Sequence, residues 1–80
     1  MPYIKQPDRI DLEENRSPQT AGELNYVITN LLISYTDFKG LNYETINSII
    51  GVLECAKLEY YRRLASPYED AKILQNGDVY

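Results

Sequence analysis

Histidine and tryptophan are absent from this 80-residue chain, and cysteine and phenylalanine occur once each. With Cys55 alone, no intrachain disulfide can form, and without histidine a zinc site of the usual Cys/His type is excluded. The missing histidine also removes the commonest proton shuttle. No metal, cofactor or catalytic residue is therefore expected. The longest apolar run, Leu31-Leu32-Ile33, falls far short of the about 20 residues that span a bilayer. The opening MPYIKQPD has no basic stretch followed by an apolar one, as a secretory leader would. A soluble protein of a reducing cytoplasm is expected.

Positive charge is also scarce. Lys and Arg number 8 against 12 Asp and Glu, a formal net charge of −4, which argues against duplex DNA or anionic lipid as partners. The four glycines are scattered, so no phosphate loop is present. A chain this short buries a thin core, and oligomerisation is one ordinary remedy.

Tyrosine is abundant: eight residues, four of them between Tyr60 and Tyr80. Each ring can pack while its hydroxyl seeks a partner. The spacing of apolar residues predicts an all-α domain over 20–80, preceded by an extended N-terminal arm over 1–19 with one short turn of helix. Its Tyr3, Ile4, Ile10 and Leu12 are apolar pegs for docking on the body or on a neighbour. Thr20 and Glu23 form a capping box for a helix over about 20–39. Its stripe is Leu24, Val27, Ile28, Leu31, Leu32, Tyr35 and Phe38, and Gly40 ends it. Asn42 caps a second helix over about 42–65, with Ile46, Ile49, Ile50, Leu53, Ala56, Tyr60 and Leu64 on one face. The short link makes the two an antiparallel hairpin, expected to be the core. Ser66, Pro67 and Glu69 signal a third, shorter helix over about 67–75, stopped at Asn76-Gly77.

Two groups of residues are candidates for function. Opposite the second helix's main stripe lie Ser48, Gly51, Cys55 and Leu58, small or apolar residues three and four apart. Either the rest of the chain covers that face or a second copy does, and a homo-oligomer is expected. At the helix end stand Tyr61, Arg62, Arg63, Ser66 and Tyr68. Two arginines there complement the helix dipole and pair with Glu59, Glu69 or Asp70. They also suit a phosphorylated aromatic ligand: guanidinium forks bind phosphate, tyrosines stack, and a helix start offers free N–H groups.

The stretches MPYIKQ (1–6), GELNY (22–26), LECAKLEYYRR (53–63), PYED (67–70) and NGDVY (76–80) resemble a family of short helical proteins of bacteria and their viruses. The resemblance covers most of the chain outside Asp11–Gln19. It assigns no activity, and no catalytic or binding residue is carried over from it. Viral occurrence implies kinship with small oligomeric proteins that sequester cyclic-nucleotide immune signals. A non-catalytic sponge for a cyclic nucleotide is thus one expectation. A structural or protein-interaction module without a small ligand is the other. The tail is expected to dock Tyr80, on its own core or on a neighbouring subunit.

Overall fold

The computed structural model describes residues 4–80, and these are all-α, with no strand among them. The order is α1 (Gln6–Glu14), α2 (Ala21–Lys39), α3 (Tyr43–Tyr60), a π-helical turn (Tyr61–Ala65) and α4 (Ser66–Asn76). The chain divides into two compact units, residues 1–45 and 46–80.

In the first unit the N-terminal segment holds a nine-residue helix, longer than the single turn expected. Pro7 stands in its first turn, where no N–H is needed, and Asp8 favours the positive helix end. Its apolar residues are few, so periodicity underrated it. Two of the expected pegs dock: Leu12 and Ile4 are buried with Tyr26, and Val27 packs against them, while Tyr3 lies outside the described residues. The buried apolar residues thus lie here, not on the paired stripes of α2 and α3 where the sequence placed the core.

Polar contacts fasten α1 to α2. The Arg16 guanidinium reaches Glu23 through two bonds (2.7 and 2.8 Å) and Asp11 through a third (2.6 Å). Glu13 accepts from the Tyr26 hydroxyl (2.6 Å) and from Asn30 (2.8 Å). Thr20 caps α2 as expected, its Oγ1 accepting from the Glu23 N–H at 3.1 Å. The other half of the box is displaced by one residue, because Glu23 takes the N–H of Gln19 (3.0 Å). Gly40 ends α2 at φ 95°, a conformation costly for any residue with a Cβ. Asn42 caps α3, accepting from the Thr45 N–H at 2.9 Å.

Hydrogen bonds from Arg16 and Gln19 hold the Glu23 carboxyl down at about 2, from an ordinary 4.5. A carboxyl lowered by folding contributes stability that is complete above its unfolded value and lost as pH falls through its folded value. Melting temperature should therefore decline between about pH 4.5 and pH 2. Glu23→Gln should decline less over that window, as measured by circular dichroism melts at matched ionic strength. Parallel declines would contradict this role.

The second unit is built differently. Helix continues from α3 through Tyr61–Ala65 into α4, bent but unbroken. Ser66 is helical (φ −60°, ψ −50°), and its N–H donates to the Tyr61 carbonyl. The predicted cap at Ser66 is therefore overturned: the ladder runs through it from the π turn into α4, and no side chain caps α4. Proline cannot donate to the ladder, and its ring presses on the carbonyl four residues back. Widening the preceding turn to the i→i+5 pattern gives that ring room without ending the helix. Gly77, at φ 84°, then stops α4 where expected.

Candidate functional site

The residues singled out at the helix end sit in and just after the π turn, and neighbouring side chains already engage them. The Tyr61 hydroxyl donates to both carboxylate oxygens of Glu69, at 3.0 and 3.2 Å. That bond pushes the Tyr61 phenol above its ordinary value, since losing the proton would set two negative charges together. Arg62 and Arg63 both turn back one helical turn to Glu59, at 2.9 and 2.8 Å. Ser66 lies within the continuous helix. Tyr68 has the Lys72 ammonium 5.5 Å from its ring centroid, within cation–π range.

This geometry divides the cluster. Tyr61 and Glu69 brace the turn from either side. The two arginines share one carboxylate along the α3 side, each about 70 % exposed (71 % and 70 %). Free N–H groups at Ser66-Pro67, which the sequence offered for an anion, do not arise because the ladder runs through. The apolar ring of Tyr68 instead opens on a surface cleft of about 520 Å³, shared with Glu69, Lys72, Ile73 and the tail from Asn76 to Tyr80. Tyr80 itself is exposed, where the sequence led to the expectation of a docked ring.

The other candidate face is also open. Ser48, Gly51, Cys55 and Leu58 are all exposed on α3. A Cβ built on Gly51 would meet nothing within 4 Å. Within the chain, then, no close backbone approach explains the glycine. Gly51→Ala should accordingly raise stability by about 0.8–1 kcal/mol, the helix-propensity difference. The measurement is a urea melt, and a loss of stability or of assembly would place a second backbone against this face.

A different cluster escaped the sequence reading. Glu13, Tyr26, Asn30 and Ser34, with Leu12, Val27 and Leu31, line a cleft of about 200 Å³ in the first unit. The Tyr26 and Asn30 bonds hold the Glu13 carboxyl below its ordinary range, and the same Tyr26 bond pushes the phenol up. Taking residues 1–19 as an arm hid this arrangement. Glu13 and Tyr26 stand 13 residues apart, beyond any helical periodicity.

Among the described residues, no helix is long and apolar enough to cross a membrane, and no group of three His, Cys, Asp or Glu side chains could hold a metal ion. A family model described as a domain of unknown function (DUF6899) matches residues 1–79. The chain belongs to that family. The match spans both units, so the bracing pair Tyr61 and Glu69 and the α1–α2 contacts fall within one family domain. No curated protein and no solved structure matches the chain.

Proposed function

We propose that the protein is a non-catalytic interaction module that works as a homo-oligomer. One observation carries this reading: no residue from 46 to 80 is buried, although that unit presents Ile46, Ile50, Leu53, Leu58, Leu64 and Ile73. A helix in a protein owes most of its stability to packing of its apolar face. A helix with so much of its apolar surface uncovered calls for a partner, and contiguous exposed patches mark interaction sites. Tyrosine and arginine, gathered at its bend, are the residue types that dominate interface energetics.

A second reading, sequestration of a cyclic nucleotide or another phosphorylated small molecule in viral counter-defence, draws on the π turn. Such turns are rare and recur at functional sites, and this one carries Tyr61, Arg62 and Arg63. Each arginine engages Glu59 through one guanidinium nitrogen, Nη2 of Arg62 and Nε of Arg63, and the remaining N–H donors of the fork suit a phosphate. The bacterial or viral setting is part of this reading and rests on the resemblance alone.

Replacing Arg62 and Arg63 together by alanine separates the two. Exposed pairs of this kind contribute about 0–1 kcal/mol, so the interaction reading expects a small change in melting temperature. It also expects no thermal shift with cyclic di- or oligonucleotides in either protein. A ligand-dependent rise in the wild type that the double variant loses would instead establish the sponge.

A further inference from the structure

Along α3 and into the π turn, Ile46, Ile50, Leu53, Lys57, Tyr60 and Leu64 recur at alternating steps of four and three, and all six are exposed. Alternation of three and four is the heptad period, which keeps one seam facing a partner helix of the same period. The repeat stops at Leu64 because the π turn inserts a residue and shifts the phase of everything after it. Five positions of the seam are large and apolar. The sixth is charged, and it decides the geometry.

In a parallel pair, Lys57 would face the partner's Lys57 in the same layer, two like charges drawn out of water. An antiparallel pair avoids this. Centred on residue 55, it sets Ile46 level with the partner's Leu64, Ile50 with the partner's Tyr60, and Leu53 with the partner's Lys57. Every seam residue then has a counterpart, and each lysine stem lies along a leucine with its ammonium at the edge. Glu54, already 3.3 Å from Lys57 within one chain, falls beside the partner's Lys57. Four charges of alternating sign then meet at the centre, whereas the parallel pairing sets the two lysines against each other in one layer. We infer that two copies of this chain pair antiparallel through the α3 seam, with the two-fold axis at the level of Cys55.

This inference rests on the self-association reading and adds its face, orientation and register. Cys55 and Ser48 lie two turns apart on the side of α3 away from the seam, so labels on either leave it clear. Nitroxide labels would be placed on native Cys55, and on Ser48→Cys in a Cys55→Ser background, and the pair distances measured by pulsed electron resonance. In the antiparallel pair the two Cys55 labels share one level, whereas labels at residue 48 are offset by about 21 Å along the axis. The residue-48 distance should therefore exceed the residue-55 distance by roughly 7–9 Å, given helices about 10 Å apart. Equal distances would mean a parallel pair and overturn the register while leaving self-association standing. Association blocked by a label at Cys55 would move the interface to the face of Ser48, Gly51, Cys55 and Leu58, overturning the seam. Absence of any dipolar coupling at high concentration would remove both the pairing and the reading beneath it.

Discussion

Ile50→Glu should convert the assembly into monomers and cost much of the helix signal. Ile50 is 61 % exposed in the single chain, so in a monomer the change would be a surface substitution, worth within about ±0.5 kcal/mol. In the paired seam the same carboxylate lies opposite an aromatic ring with no cation at its level. Leaving a charge there unpaired costs on the order of 3 kcal/mol or more, which raises the dissociation constant at least ~100-fold. Helicity follows, because no residue from 46 to 80 is buried in the single chain and most helical stability comes from packing of an apolar face. The measurement is far-UV circular dichroism across a dilution series, with the wild type alongside. Superimposable curves for the two proteins would show that the seam packs on nothing.

Pro67→Ala should stabilise the protein by about 1–2 kcal/mol. Proline inside a helix costs roughly 3 kcal/mol relative to alanine, and the π turn before Pro67 relieves only part of that. Removing the ring lets the Tyr61–Ala65 turn tighten to ordinary α geometry, with the Ser66 N–H returning to the Arg62 carbonyl. Tyr61 and Glu69 would then stand a residue out of phase, so the expected gain is smaller than the full proline penalty. Hydrogen-exchange protection at Ser66 and a chemical melt report the two effects together. A lower midpoint would mean that the Tyr61–Glu69 bond, and not the proline, holds the turn open.

The elements were largely legible in the sequence, and their junctions less so. Thr20, Gly40, Asn42 and Gly77 act through short-range chemistry, each bonding within a few residues, and each marks the end it was expected to mark. Ser66-Pro67-Tyr68-Glu69 carries the letters of a capping box yet lies in a running helix. The same letters fit both cases, because proline is tolerated at a first turn and also by a widened turn before it. The bond that braces the widened turn, from Tyr61 to Glu69, joins residues eight apart, too far for a local rule to weigh.

The first unit failed legibility for a related reason. Arg16 joins Asp11 to Glu23 across the link between two helices, and polar bridges leave no periodic trace. The candidate cluster at the bend was legible as a list of residues. Its internal pairing was less so, because Glu59 lies three and four residues before Arg62 and Arg63 and satisfies both, where the sequence allowed Glu59, Glu69 or Asp70.

Sedimentation equilibrium of the wild-type protein tests self-association most directly. The chain mass is 9.3 kDa. An antiparallel pair predicts twice that value at micromolar concentrations and above, with dissociation on dilution accompanied by loss of helix signal. A mass of one chain at every concentration, with the helix signal undiminished, would contradict it.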